Sequence, residues 1–280
     1  MERAFQATPD TIEHTWYGED GAIVNPGTVT ITIDRANGTN VVPATTPTSG
    51  TGAAKRTFDL TADHTALLDT LKVTWSSTLK GTAVDYVEVA GRPYFTIAEA
   101  RALEELADVN EYPPEAIASH RTLAESAIEE ECGRAFVPRY ARERLSGRGS
   151  ARLLLSGRHL RQIRDVTIGG TALTSPQVEE VVADGRELYR PYGWDVGTRN
   201  VVVGYEHGLD YPPPRLARAA LILAKNWLVK GPIDDRAVSI PAGDAGGVIS
   251  LATPGVRGAV FGIPEVDLVV QRYRVRELVG

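Results

Sequence analysis

Residues 91–100 read GRPYFTIAEA, and the character of the sequence changes within them. Before this stretch, apolar residues alternate with threonine, which is the pattern of half-buried strands. After it, apolar residues recur at helical spacing. A threonine that can cap a helix stands at the start of this pattern, and a glutamate follows it three residues later. The stretch therefore predicts an α+β protein of two domains, residues 1–91 and residues 92–280.

The first predicted domain is all-β. Strands are expected at residues 12–17, 28–34, 41–42, 58–60, 71–75 and 84–89. Asn37-Gly38 is a turn signal between two of them, and residues 43–54, rich in threonine, proline, glycine and serine, are predicted to form a loop. About six short strands in about 90 residues favour an immunoglobulin-like β-sandwich.

The second predicted domain is mainly helical. Its helices are expected at residues 96–108, 113–132, 213–230 and 264–276. Thr96 and Glu99 form a predicted capping box, and Gly133 can end the second helix. The third helix is apolar almost all round, so we expect it to be sheltered by other helices or by a neighbouring subunit. The valines of the fourth also favour a strand, but their spacing is helical.

Two further segments interrupt the predicted helices. Residues 138–205 have β character, with Gly169-Gly170 as a tight-turn signal, and they predict a β insertion. Residues 231–263 are rich in glycine and proline and show no helical period. A loop of this length in a compact domain is usually functional or disordered, so these residues are a candidate contact segment.

Composition and charge limit the possible functions. The net charge is −6, and residues 1–91 carry 6 basic and 11 acidic side chains, so the acidity is concentrated in the first domain. This mild charge argues against a general nucleic-acid-binding chain. No apolar run approaches the length of a membrane span, and the first residues lack the features of a secretory signal. We therefore expect assembly in a cytoplasm, without membrane contact.

The sequence shows no catalytic constellation. Cys132 is the only cysteine, which excludes an intrachain disulfide and a cysteine-based zinc site. No two of the five histidines lie at the spacing of metal ligands, and no glycine-rich phosphate motif follows a strand. Cys132 and His120 would lie about 18 Å apart on one helix, too far to act together. We expect no catalytic residue, no cofactor and no metal ion, and thus no enzyme.

An arginine series stands out instead. Nine arginines fall between residues 134 and 164, against one acidic residue, Glu143. They are Arg134, Arg139, Arg142, Arg144, Arg148, Arg152, Arg158, Arg161 and Arg164. Such a series can be a basic surface with scattered salt bridges, can face an acidic partner or subunit, or can contact DNA phosphates. The candidate inter-subunit or channel-facing residues are Arg142, Arg144, Arg148, Arg152, Arg158, Arg161, Glu129, Glu130, Asp234 and Asp235.

Several strings between residues 94 and 276 occur in a distinctive order. They are YFTIAEA (94–100), AIAS (116–119), AESAIE (124–129), CGRAFVP (132–138), IRDVTIGG (163–170), YEHG (205–208), PPP (212–214) and ARAAL (217–221). In this order they resemble the head–tail connector (adaptor) proteins of long-tailed bacteriophages. The resemblance covers the second domain, as a helical connector domain with a β insertion, and leaves residues 1–91 outside.

The resemblance implies a structural virion protein at the neck of the particle. Copies would form a ring, typically of twelve, that docks beneath the portal protein, continues the DNA channel and meets a tail-side completion or stopper protein. Residues 231–263 and 264–280 would reach the portal or neighbouring copies. The portal-binding candidates are Val266, Val269, Val270, Arg272, Tyr273, Arg274 and Arg276. Residues 1–91 would decorate or widen the ring, or contact the major capsid protein.

Two other functions remain open from the residues alone. A sandwich domain with exposed Trp16 and Trp75 would suit a carbohydrate-binding or adhesion protein of a phage particle, although Trp75 alternates with apolar residues that point inward. A hydrolase would need a nucleophile–base pair or a metal set that the sequence does not reveal. We expect a pocket with perturbed titratable groups if the chain is an enzyme, and glycan binding if it is an adhesin.

Overall fold

The computed structural model describes residues 2–49, 54–229, 239–241, 248–250 and 260–275. These residues form a mixed α+β fold, which confirms the predicted class. The chain packs into two compact units. The β unit contains Met1–Arg92 and Val137–Asp210, and the helical unit contains Pro93–Phe136 and Tyr211–Gly280. The chain first passes from one unit to the other after Arg92, next to the predicted boundary. The β insertion packs with the N-terminal strands. The division into domains at residue 91 stays a prediction.

The N-terminal part of the β unit contains two sheets. In chain order the strands are β1 (Glu2–Phe5), β2 (Asp10–Thr15), β3 (Val29–Asp34), β4 (Asn40–Thr45), β5 (Thr48–Ser49), β6 (Lys55–Leu60), β7 (Asp69–Ser77) and β8 (Gly81–Ala90). One sheet has the order β1-β8-β7-β3-β4, with β1 parallel to β8, and the other has the order β2-β6-β5. Strand β1 was not predicted, and β4 and β5 extend into the segment predicted to be a loop.

The two sheets enclose an apolar core. Ile31 and Ile33 of β3 and Val73 and Trp75 of β7 are buried, as the alternation predicts. Trp16 joins the same core, and the Trp75 indole N–H donates to Asp85 Oδ2 at 3.0 Å. The inward position that the alternation predicts for Trp75 is confirmed, and neither tryptophan offers an exposed sugar-binding surface.

The second part of the β unit is the insertion. Its elements are β9 (Arg139–Gly147), β10 (Arg152–Leu154), β11 (Leu160–Ile168), β12 (Thr171–Ala172), β13 (Val182–Asp184), β14 (Glu187–Tyr189) and β15 (Gly197–His207), with a short helix, Ser175–Glu179, that was not predicted. They form sheets of order β12-β11-β15-β9 and β10-β14-β13 around Trp194, Val203 and Tyr205. Gly169 and Gly170 have φ of 58° and 88° and make the predicted turn, because glycine adopts these angles without steric cost.

The helical unit begins with α1 (Ile97–Arg101) and a 3-10 turn at Glu104–Leu106. The capping box of Thr96 and Glu99 is present, which confirms the predicted start. The predicted helix to residue 108 is wrong, since α1 ends seven residues earlier. The Arg101 guanidinium donates to the carbonyl oxygens of Leu106 at 2.6 Å and Asp108 at 3.0 Å, and also to that of Tyr112. The chain wraps around this side chain instead of continuing the helix.

Three longer helices complete this unit: α2 (Pro114–Cys132), α4 (Pro214–Leu228) and α5 (Pro264–Tyr273), with the short insertion helix numbered α3. Helix α2 ends at Gly133, whose φ of 65° is the left-handed conformation predicted there. Helix α5 confirms helical spacing over strand propensity and ends before residue 276. Strands β16 (Ser239–Pro241) and β17 (Val248–Ser250) pair within the segment 231–263, which was predicted to lack secondary structure. The rest of 231–259 lies outside the described residues.

The buried faces of the helices explain their packing. Leu216, Ala220 and Leu223 of α4 and Ile128 of α2 are fully buried, and α4 packs on both α2 and α5. Trp227, near the end of α4, is 40% exposed and lies beside Phe261 at 6.4 Å between ring centroids. Within the described ranges, no helix is long and apolar enough to cross a membrane.

Candidate interaction surfaces

The arginines of the series end in different surroundings. Three of them, Arg139, Arg142 and Arg164, turn toward carboxylates inside the β unit. Arg134 belongs to the helical unit, where its guanidinium lies 4.9 Å from the centroid of the Phe136 ring. The remaining five point outward to different degrees, so the series is not a single continuous surface.

A single carboxylate holds two buried arginines. Glu88 Oε2 lies 2.9 Å from Arg3 Nε and 3.2 Å from Arg139 Nη1, and the two arginine side chains are 5% and 3% exposed. Arg3 lies directly opposite Glu88 in the pairing of β1 with β8, and Arg139 opens β9. This group of charges therefore joins the N-terminal sheet to the insertion, and Arg139 is unavailable to a partner.

Arg142 and Arg164 are also tied within the β unit. Arg142 Nη1 lies 2.5 Å from Asp165 Oδ1. Arg164 Nε donates to Glu206 Oε1 at 2.7 Å and its Nη1 to the Leu68 carbonyl at 2.7 Å. Of the six arginines proposed to face a neighbour or the channel, Arg142 thus already has an acidic partner in its own chain.

The other five proposed arginines are more open. Arg161 pairs with Asp210, and Arg152 lies 3.7 Å from Glu187 with a side chain that is 73% exposed. Arg144 and Arg148 are exposed and Arg158 is half-buried, and none of the three makes an ion pair with a described residue. The exposed cations therefore cluster toward the end of β9 and the start of β10.

Next to these cations lies a group of exposed apolar side chains, which we name the tip surface. It consists of Leu154, Val182, Tyr189, Tyr192 and Val196, together with Arg148, Arg152 and Arg199. Arg152, Tyr189 and Val182 lie opposite one another in β10, β14 and β13 and thus on one face of that sheet. Tyr192 and Val196 are each 80% exposed, the most of any large hydrophobic residue in the described chain.

The loop that carries Tyr192 and Val196 is fixed from behind. The backbone N–H of Trp194 donates to the Ser150 carbonyl at 2.9 Å, and that of Gly149 donates to the Trp194 carbonyl at 2.8 Å. The Trp194 side chain is fully buried, and its indole N–H donates to the Ala151 carbonyl at 3.1 Å. The exposed residues of the tip surface therefore stand on an anchored loop rather than on a free one.

The helical unit presents an opposite charge between α1 and α2. We name residues 104–115 the acidic segment, because Glu104, Glu105, Asp108, Glu111 and Glu115 are exposed within it. Arg101 holds its backbone through three carbonyls, and the Asp108 carboxylate accepts the Asn110 N–H at 2.8 Å. Lys225 Nζ lies 2.7 Å from Glu105 Oε1 and lowers the pKa of that carboxyl by hydrogen bonding. Val109 is an exposed apolar residue in its middle.

The proposed acidic contact residues have different positions. The Tyr94 hydroxyl donates to Glu129 Oε1 at 2.9 Å, so Glu129 is tied within the helical unit. Glu130 is exposed, and the neighbouring Glu131 pairs with Arg274 at 2.9 Å. Asp234 and Asp235 lie outside the described residues.

The proposed portal-binding residues divide between two faces of α5. Val266 and Val270 are buried within the helical unit, and the Tyr273 ring contacts Phe136 at 5.9 Å between centroids. Arg272 and Arg274 are exposed, whereas Val269 is half-buried. Arg276 lies outside the described residues. A partner that meets α5 as it is placed here would therefore contact its arginines and Leu268 rather than Val266 and Val270.

A polar network that the sequence did not reveal closes one loop of the insertion. The Tyr205 hydroxyl donates to Glu143 and accepts the Gly157 N–H at 2.9 Å, and Ser156 Oγ lies 2.5 Å from Glu143 Oε1. Burial and the Glu143 hydrogen bond raise the pKa of Tyr205, so its phenol stays protonated as a donor. Each partner is far away in sequence, and no local signal could have shown that they meet.

A cleft of about 590 Å³ opens in the β unit beside β3, β7 and β9. Arg35, Lys72, Tyr86 and Arg142 line it together with Asp34. Arg35 lies 3.3 Å from Asp69, Arg142 pairs with Asp165, and Asp34 lies opposite Lys72 in the pairing of β3 with β7, so carboxylates balance these three cations. The cleft is polar but carries no unbalanced charge that would select an anionic ligand.

Neither titratable side chains nor Cys132 form an obvious chemical site in the described ranges. No group of three or more His, Cys, Asp or Glu side chains there is placed to hold a metal ion. Cys132 is buried beneath α5, and burial raises the pKa of its thiol to about 11. His120 contacts the Ala116 carbonyl through Nδ1 at 2.8 Å within its own helix.

The chain matches no protein-family model and no curated protein.

Proposed function

We propose that the chain is a structural protein of the neck of a long-tailed bacteriophage particle. Copies of it form a ring, typically a dodecamer, that joins the portal to the tail-side completion or stopper protein and continues the DNA channel. The protein in this proposal is not an enzyme, binds no cofactor and makes only non-specific approaches to DNA.

One observation carries the proposal: the helical strings that resemble connector proteins build one helical unit from both sides of the β insertion, which contains the strings at 163–170 and 205–208. Helix α2 lies before the β insertion, whereas α4 and α5 lie after it, and the three helices pack together. This is the order of elements that the resemblance implies for a helical connector domain with a β insertion.

The same strings occupy structural positions. Gly133 ends α2 in a left-handed conformation, and Phe136 three residues later is fully buried. Tyr205 belongs to the Glu143 network, and Pro213 and Pro214 begin α4. These residues set the path of the chain rather than a reaction, and this supports a role in assembly.

For residues 1–91 we propose an immunoglobulin-like sandwich that binds a partner or widens the ring, with the major capsid protein as a candidate. Its two facing sheets and its buried core of alternating residues support this. The adhesin and hydrolase alternatives have no specific observation in their favour, because both sandwich tryptophans are buried and Ser156 serves to close a loop.

Localisation tests the proposal. Gold-labelled antibodies against the full chain, applied to intact particles of the phage that encodes it, are expected to mark the head–tail junction. Label at the tips of tail fibres would support an adhesin, and particles that lack the protein would contradict any structural role. The matched control is labelling of the major capsid protein on the same grids.

A deletion examines the role of the C-terminal segment. A chain without residues 264–280 is expected to be missing from particles, because that segment would reach the portal. Circular dichroism of the truncated chain should retain the β signal, since the β unit contains none of the deleted residues. Incorporation of the truncated chain at the normal level would show that the segment does not attach the protein.

A further inference from the structure

We propose that neighbouring copies of this chain bind each other through the tip surface of one copy and the acidic segment of the next. The inference rests on the proposed function, because a closed ring requires each copy to present two different and complementary surfaces. The sequence did not indicate that these two surfaces form a pair, because one lies in the β insertion and the other in the connection between α1 and α2.

The composition of the tip surface is that of a protein-binding site. Tyrosine and arginine are enriched at the energetic centres of interfaces, and an isolated chain rarely leaves several large apolar residues together in water. Tyr189 and Tyr192 are flanked here by Leu154, Val182 and Val196, all exposed. The anchored loop also limits the conformational freedom that binding would remove.

Its arginines are available to a carboxylate partner. Arg148 and Arg199 are exposed and make no ion pair with a described residue. Arg152 is 73% exposed and only 3.7 Å from Glu187, a loose contact that a better partner can replace. The Arg199 N–H donates to Ser146 Oγ at 2.9 Å, which keeps this residue beside Arg148 at the end of β9. Arginine forks pair with carboxylates in two-point geometry.

The acidic segment supplies the matching chemistry. Glu104, Glu111 and Glu115 are exposed and make no ion pair with a described residue. Val109 gives the segment an apolar contact of its own, and Arg101 keeps its backbone in one shape. A preformed acidic loop with an apolar residue fits a preformed arginine-rich surface with aromatic residues.

The observations favour protein over DNA as the occupant of the tip surface. Phosphate contact would use the arginines but would leave Val182, Tyr192 and Val196 against water. A carboxylate-bearing protein surface with an apolar centre accommodates both kinds of residue.

The experiment is a charge swap on the full-length chain. The tip variant carries Arg148→Glu, Arg152→Glu and Arg199→Glu, and the acidic variant carries Glu104→Arg, Glu111→Arg and Glu115→Arg. A third chain carries all six changes. Lys80→Glu and Glu19→Arg are the matched controls, because both positions are exposed in the N-terminal part of the β unit. Sedimentation velocity over a concentration series measures self-association, and circular dichroism checks each fold.

The wild-type chain and both controls are expected to associate. Each one-sided variant should need a protein concentration about tenfold higher than the wild type, or more, to associate to the same extent. The chain with all six changes should recover association, because the charges are exchanged rather than removed. Each one-sided variant carries like charges on its two surfaces, so mixing the two variants should allow alternating contacts that neither variant makes alone.

Four results would overturn the inference. One is association of the one-sided variants at the wild-type concentration, and another is a folded six-fold variant that fails to recover. The third is a wild-type chain that never associates, and the fourth is a tip variant that loses only binding to a random DNA duplex. If particles still carry the protein at the neck in any of these cases, the proposed function stands and only the pairing of surfaces fails.

Discussion

The charged group around Glu88 in the β unit and the buried face of α4 in the helical unit hold the chain together by different chemistry. In the β unit, Glu88 lies between two arginines that are almost fully buried, and Glu143 serves Tyr205 and Ser156. In the helical unit, α4 buries leucine and alanine side chains, and the buried charged residues Arg121, Glu125 and Asp267 lie on the neighbouring helices α2 and α5. Apolar packing tolerates small shifts, whereas a buried charge destabilises the fold as soon as its partner is lost. The two units should therefore respond to substitution in different ways.

The largest expected loss of stability lies in the helical unit. Leu223→Ala should lower the free energy of unfolding by about 4 kcal/mol, because Leu223 is fully buried on α4 and its truncation leaves a cavity. Leu123→Ala, on the exposed face of α2, is the matched control and should change it by less than about 0.5 kcal/mol. Urea denaturation measures both. Equal effects would mean that α4 does not form the apolar centre of this unit.

The corresponding change in the β unit removes a charge rather than a methyl group. Glu88→Ala should cost about 3 kcal/mol, since Arg3 and Arg139 would remain buried without their shared carboxylate. Glu187→Ala, which breaks the exposed contact to Arg152, should cost at most about 1 kcal/mol in the same urea titration. Two similar values would show that the buried group contributes no more than a surface pair.

Local patterns account for most of the elements that were anticipated. Val29–Asp34 alternates strictly, Thr96 and Glu99 form a capping box, and Gly133 can take a left-handed conformation without strain. Each of these signals is contained in a few neighbouring residues. Such residues determine the local conformation directly, so the elements could be predicted before any tertiary contact was known.

The misses arise from contacts between distant residues. Strand β1 has only one buried residue and forms by parallel pairing with β8, more than 80 positions away. Helix α1 stops early because Arg101 binds carbonyls of the following loop. The arginines of the series look alike in the sequence. Arg139 is nevertheless buried against a carboxylate while Arg148 is exposed, and that carboxylate comes from elsewhere in the chain. Neither spacing nor composition indicates which arginine will meet which carboxylate.

Thiol labelling of Cys132 measures how well α5 covers the interior of the helical unit. Cys132 is buried, its Sγ contacts the Val270 carbonyl at 3.7 Å, and burial raises its pKa to about 11. The intact chain should therefore react slowly with a maleimide at pH 7.5. A chain that ends at residue 263 should react about tenfold faster, because the thiol loses the cover of α5 and ionises more readily.

Circular dichroism of both chains controls for unfolding in that comparison. Equal labelling rates in two folded chains would mean that α5 does not protect the thiol in solution. Slow labelling of the intact chain that becomes fast on binding its upstream partner would instead show that α5 leaves α2 during assembly, and would expose Val266 and Val270 to that partner.

The smallest expected effect is a pH dependence in the β unit. Desolvation, together with the carboxylates of Asp10, Glu13 and Asp85, raises the pKa of Glu2 to about 7 from its ordinary value of 4.5. The folded chain thus holds a proton that the unfolded chain releases, so the stabilisation is complete below pH 4.5 and is lost as the pH rises through about 7. Glu2→Gln should remove this dependence and raise Tm at pH 8 but not at pH 4.5. The gain should be on the order of 1–2 °C, because the Glu2 side chain is only partly desolvated and the water around it screens the repulsion. Glu19→Gln, on an exposed loop of the same unit, should leave Tm unchanged at both pH values. A pH-independent gain for Glu2→Gln would assign its effect to β1 pairing rather than to charge repulsion.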